Sequence, residues 1–93
     1  MHVTNAASLG LFDIKNNKFK TDLSCLPKVT DKIETVGEYA GIPVNVALGD
    51  NQASFIGSVS DNESALLNFG TGSQISVIGD SADVPNGIEA RPF

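Results

Sequence analysis

The chain has one cysteine, one histidine and few cations. With Cys25 alone there is no disulfide framework and no thiolate metal site. With His2 as the only imidazole, a multi-histidine metal centre is excluded, and a Ser-His-Asp triad has only a residue beside the chain's start to draw on. Six bases stand against 11 acids, and five of the six precede residue 33. No basic patch is left in the second half, which argues against a nucleic-acid partner. No apolar run approaches the ~18 residues of a membrane span, and Met1-His2-Val3-Thr4-Asn5 is not a signal peptide. The expectation is a cytoplasmic protein with no membrane partner.

What is present is globular in composition: 41% hydrophobic residues, 18% charged residues and a mean hydropathy of +0.02. Ninety-three residues make one small domain or a piece of a larger one. A chain of this size hides roughly 60–65% of its unfolded surface on folding. That allows a core, but not a deep active-site cleft with two walls. There is no internal repeat and no low-complexity stretch.

Ala7–Ile14 is rich in apolar residues and is followed by Asn16-Asn17 and Lys18-Phe19-Lys20. This pattern predicts a strand, a turn and a short returning strand. Thr21-Asp22 can cap one helical turn through Ser24 and Cys25 before Pro27 stops it. Residues 30–41 stay open. Asp31 with Glu34 resembles a capping box, and Ile33, Val36 and Tyr39 recur at helical spacing, but Gly37 interrupts the run at about 1 kcal/mol relative to alanine. Val44–Leu48 reads as an interior strand buried on both faces. It runs through Gly49-Asp50 into a helix with Ala53, Ile56 and Ser60 on one face. The polar run at residues 60–64 marks a loop and a domain boundary. Ala65–Phe69 and Gln74–Ile78 flank Gly70-Thr71-Gly72-Ser73 as a hairpin, and the tail from Gly79 is rich in turns.

Two places can carry chemistry. Asp50 ends an apolar strand and opens a helix, where a side chain projects beyond the strand's carboxyl end. A carboxylate there can accept a proton from a substrate hydroxyl as that oxygen attacks phosphorus; the other reading is a helix cap. Asn51 and Gln52 carry amides that suit a polyol, or are ordinary first-turn helix residues. Gly70-Thr71-Gly72 lets the backbone approach an anion, with a hydroxyl donor from Thr71; the other reading is a plain hairpin turn in need of glycine. Cys25 has no histidine or basic cluster beside it and reads as half-buried packing. Lys15, Lys18 and Lys20 read as a solvated strand face. No residue is assigned to a metal.

Leu48-Gly49-Asp50-Asn51-Gln52-Ala53-Ser54 resembles the Gly-Asp-Gln-Gln-Ala-Ala type motif of the FGGY carbohydrate kinases, which include glycerol, xylulose and sedoheptulose kinases. Asn68–Ser73 is similar to the Gly-Thr-Gly phosphate hairpin that follows it in those enzymes. Val3–Ile14 resembles the family's Thr-Asn-Ala-Ser segment running into Leu-Phe-Asn/Asp-Ile. Three matches in order over most of the chain are specific together. The wording of the aspartate motif and the closing Glu89-Ala90-Arg91-Pro92-Phe93 lean towards the sedoheptulose-kinase-like branch.

The resemblance implies an α/β chain that is part of the actin-like ATPase, ribonuclease H-like fold, with a mixed sheet and few helices. It implies that residues 1–60 end a first kinase domain and residues 61–93 start a second one. It implies an ATP-dependent sugar kinase, with Mg-ATP and a sugar or polyol as substrates. Asp50 matches the catalytic base, Asn51 a neighbour that contacts substrate hydroxyls, and Gly70, Thr71 and Gly72 the loop facing the ATP phosphates. The family's first phosphate hairpin and most of its second domain have no counterpart in these residues. The expectation is therefore a piece of a kinase, or the product of a broken reading frame, inactive alone and open to self-association through its inter-domain surface. The alternative is a non-catalytic phosphate-binding or assembly module.

Overall fold

A computed structural model describes residues 1–93. Residues 1–3 run alongside residues 28–30. The terminal ammonium donates to Lys28 O at 2.8 Å, Thr30 N to Met1 O at 2.9 Å and Val3 N to Thr30 O at 2.9 Å. The chain then enters α1 (Val3–Ala7), whose N-cap is His2. The strand expected from Ala7 is confined to β1 (Phe12–Asp13), which pairs antiparallel with β2 (Lys18–Phe19). The turn forms where expected. Asn17 takes the left-handed conformation at φ 52°, and Asp13 accepts from Asn16 N at 3.1 Å and Asn16 Nδ2 at 2.8 Å. Those bonds favour the ionised form and hold the Asp13 carboxyl below its ordinary 3.8.

The core of this lobe is Val3, Ala6 and Phe12, with Ala7, Ile14, Phe19 and Val29 packed around it. Phe12 meets Phe19 edge to face, with ring centres 5.5 Å apart. The helical turn expected over residues 21–25 is only a turn, closed by Leu26 N to Leu23 O at 2.9 Å. Cys25 lies on it and is exposed, so its reading as half-buried packing is corrected. Nothing is packed over the turn to cover it.

Residues 30–41, left open by the sequence, form most of a hairpin: β3 (Thr35–Tyr39) pairs with β4 (Ile42–Asn45). Its loop is Ala40-Gly41, at φ 51° and 79°. Two successive left-handed residues make the turn whose twist matches paired strands. All four residues of β4 are exposed, which corrects the reading of an interior strand. The only strand beside β4 is β3 and no second layer covers them; of Val44–Leu48 only Val46 is buried.

Helix α2 (Asp50–Ser58) starts at the expected residue. Its buried side chains are Gln52 and Phe55, whereas Ala53 and Ile56, which share a face in the sequence, are exposed. The inner face is chosen by the C-terminal tail. Gln52 Nε2 donates to Pro92 O at 3.1 Å, and the rings of Phe55 and Phe93 meet edge to face at 6.1 Å. The hairpin β5 (Leu66–Phe69) and β6 (Ser73–Ser76) follows in register, Phe69 opposite Ser73.

All strands pair as three separate two-stranded antiparallel ribbons, and the one parallel pairing is the His2–Thr30 bridge. The exposed surface is 7088 Å², against about 5,100 Å² for a compact monomer of this mass. The radius of gyration is 15.0 Å, where about 12 Å is usual. The hairpins stand outside the core. Contacts also cross residue 60: the Gln52–Pro92 bond and a Lys15–Asp83 ion pair, in which Lys15 stays exposed, as read for it along with Lys18 and Lys20.

Candidate functional site

The turn into α2 is held from behind by α1. Val46 N donates to Glu34 O at 2.9 Å, and Asn5 Nδ2 donates to Ala47 O at 2.7 Å. Gly49 N then donates to the buried Thr4 Oγ1 at 2.8 Å. Gly49 has φ −63° and ψ 141°, a conformation open to any residue, so its glycine is not needed for backbone reasons. It is needed for space: a Cβ there meets Thr4 Cβ and Thr4 O at 3.3 Å and Gln52 Oε1 at 2.7 Å. The Thr4-Asn5 and Gly49-Asp50 segments, 45 residues apart, are thus in direct contact.

Asp50 is exposed and is the first residue of α2, with Gly49 as the N-cap. Its Oδ1 accepts from Asn51 N at 2.8 Å, and neither ion pair of the chain involves it. The bond goes to the very next amide, so the side chain does not bridge the first turn as an N-cap does.

Asn51 lines a cleft of about 640 Å³ between the first turns of α2, strand β6 and the tail. Ser73, Gln74 and Ser76 face it from the hairpin, and Glu89, Arg91 and Phe93 from the tail. Its charged side chains cancel: Arg91 Nη2 and Nε each lie 3.1 Å from a Glu89 carboxylate oxygen. What remains is amide and hydroxyl chemistry over an apolar floor that includes Phe55. Gln52, read as a possible polyol contact, lines the cleft but spends its amide N–H on Pro92. Asp50, Gly70, Thr71 and Gly72 are exposed and do not line this cleft; their neighbours Asn51 and Ser73 do.

The loop Gly70-Thr71-Gly72 is closed by Gly70 N donating to Gly72 O at 3.3 Å. Neither glycine has a positive φ. A Cβ on Gly72 meets nothing, and one on Gly70 makes only an ordinary 3.6 Å contact. The turn therefore does not need glycine, contrary to the plain-hairpin reading. The loop tip is bare backbone that folding alone does not explain.

Sequence reasoning missed His2, Gln52 and Phe93 as the parts that fix α2. No spacing rule links a helix amide to a carbonyl 40 residues away. The resemblance of Val3–Ile14 was the available signal for the Thr4 contact.

No family model and no solved structure matches the chain. It is 36% identical over 85 residues to a glycerol kinase of Corynebacterium kroppenstedtii, an alignment that covers 75% of this chain. The chain spans 17% of that enzyme's length. The match gives no support to the sedoheptulose-kinase-like branch. At the level of the enzyme class, this chain is similar to a short stretch of a sugar or polyol kinase.

Proposed function

We propose that the chain is part of an ATP-dependent kinase of a sugar or polyol, built on the actin-like ATPase fold and divided near residue 60. Asp50 is the base that takes the proton of the substrate hydroxyl, and Asn51 orients the neighbouring hydroxyls from the cleft wall. Gly70, Thr71 and Gly72 face the phosphates of Mg-ATP. The observation that carries the reading is the loop tip: two glycines that neither backbone conformation nor packing demands. A tip whose glycines carry no side chains suits close approach by phosphate oxygens. The similarity to a glycerol kinase supports the same class of reaction.

Phosphoryl transfer depends on positioning and on charge stabilisation from both sides of the reacting phosphate. These 93 residues supply one edge of that arrangement, so the isolated chain turns over no substrate. It still binds phosphate. Titration with Mg²⁺-ATP is expected to move the amide resonances of Gly70 to Ser73, and resonances unmoved at saturating nucleotide reject the phosphate loop. In a full kinase carrying the segment, Asp50→Asn is expected to lower turnover by about 10²–10⁴-fold while nucleotide still binds. Near-normal turnover there rejects Asp50 as the base.

A further inference from the structure

We infer that Thr4 is a positioning residue for the Asp50 turn, acting as a two-way hydrogen-bond relay between His2 and Gly49. The Gly49 amide can only donate, so Thr4 Oγ1 is the acceptor of that 2.8 Å bond. The hydroxyl's single proton is then left to donate, and His2 Nδ1 lies 2.9 Å away. Thr4 N also donates to Nδ1, at 3.4 Å. Two donors converging on Nδ1 assign the ring proton of His2 to Nε2. All three members are buried: His2 is 3% exposed, Thr4 2%, and Gly49 falls in the same class. Water cannot replace a missing partner at such a site without cost.

The relay sits at a close approach, where a Cβ on Gly49 meets Thr4 Cβ and Thr4 O at 3.3 Å and the Gln52 side chain at 2.7 Å. Asp50 is the next residue, and its Oδ1 holds the Asn51 amide at 2.8 Å. The direction of the carboxylate is therefore set by α1, through Thr4, and not by the strand that leads into the turn. Asn5 Nδ2 on Ala47 O is a second, exposed strap to the same turn. What Asp50 does once positioned rests on the kinase reading; the relay itself does not.

The test reads amide hydrogen exchange in the 93-residue chain without nucleotide or polyol, so it stands whether or not the chain binds either. In the unmodified chain the Gly49 amide is expected to exchange at least tenfold more slowly than its unstructured rate. Exchange at the unstructured rate overturns the relay with no variant needed. Thr4→Val keeps the shape and removes both bonds: Gly49 exchange is expected to rise at least tenfold and the Asn51 resonance to move. The Lys20 amide, bonded to Leu11 O on the far side of the core, is expected to stay within about twofold. Thr4→Ser restores the hydroxyl and is expected to return Gly49 to within about threefold of the original rate. An unchanged Gly49 rate in Thr4→Val overturns the proposal. Equal acceleration of Gly49 and Lys20 does so too, because Thr4 then acts only as packing.

Discussion

The N-terminal lobe and the two later hairpins both carry large apolar side chains, yet these end in opposite states. In the lobe, Phe12 is 5% exposed and its partner Phe19 is half-buried against it. In the hairpins, Tyr39 is 78%, Phe69 79% and Ile75 73% exposed. The difference is not residue type but covering. The lobe folds α1 across β1, whereas β3–β4 and β5–β6 have partners only along their edges. Hydrogen-bonded pairing sets the register of a ribbon, but a second layer supplies most of its stability.

The largest expected effect breaks this contrast directly. Phe12→Ala removes the centre of the lobe and is expected to cost about 3–5 kcal/mol, enough to unfold it, whereas Phe69→Ala is expected to stay within about 0.5 kcal/mol. Urea unfolding of both variants checks the pair, and equal losses reject the division into a packed and an unpacked region. Gly49→Ala comes next, at roughly 1–3 kcal/mol, because the added methyl must push Thr4 or Gln52 aside. The same unfolding curve reads it, and an unchanged midpoint shows that the contact between α1 and the turn is looser than its distances.

Ala40→Asn sharpens the comparison from the other side. Ala40 sits at φ 51°, which asparagine tolerates better, so the β3–β4 ribbon is expected to gain about 0.5–1 kcal/mol. Slower exchange of the Tyr39 and Ile42 amides is the readout; no change places the strain elsewhere. The smallest effect concerns pH. Asp13 is held below its ordinary value chiefly by the Asn16 side chain, and Asp61 by the Ser64 hydroxyl. A depressed carboxylate stabilises the fold above its unfolded value of 3.8, and that contribution fades as pH falls through the lower folded value. Asn16→Ala is expected to raise the Asp13 midpoint, followed by carboxyl-carbon NMR, and to leave Asp61 unmoved.

The parts legible in the sequence are those whose cause is local. Asn16-Asn17 makes its turn, Gly70-Thr71-Gly72 lies between two strands with Ser73 taken into the second, and α2 opens at Asp50. The unreadable parts depend on distant partners. Ile33, Val36 and Tyr39 are spaced for a helix, but Ala40-Gly41 closes a two-residue loop and commits Thr35–Tyr39 to β4. Periodicity groups Ala53 with Ile56 on one face of α2, but it cannot see Pro92 and Phe93 arriving from the far end to bury Gln52 and Phe55 instead. Of the candidate site, residue types and order were legible through the resemblance. The contact of Thr4 with Gly49 and the dispensability of glycine for the 70–72 turn required coordinates.

The clamp of Pro92 and Phe93 onto Gln52 and Phe55 makes α2 a hub for two distant segments, since α1 grips its N-cap Gly49 and the tail its buried face. A probe attached at residue 93 therefore senses the cleft beside Asn51 without altering any residue proposed to act there. An affinity tag fused at that position, by the same token, presses on the helix that carries Asp50.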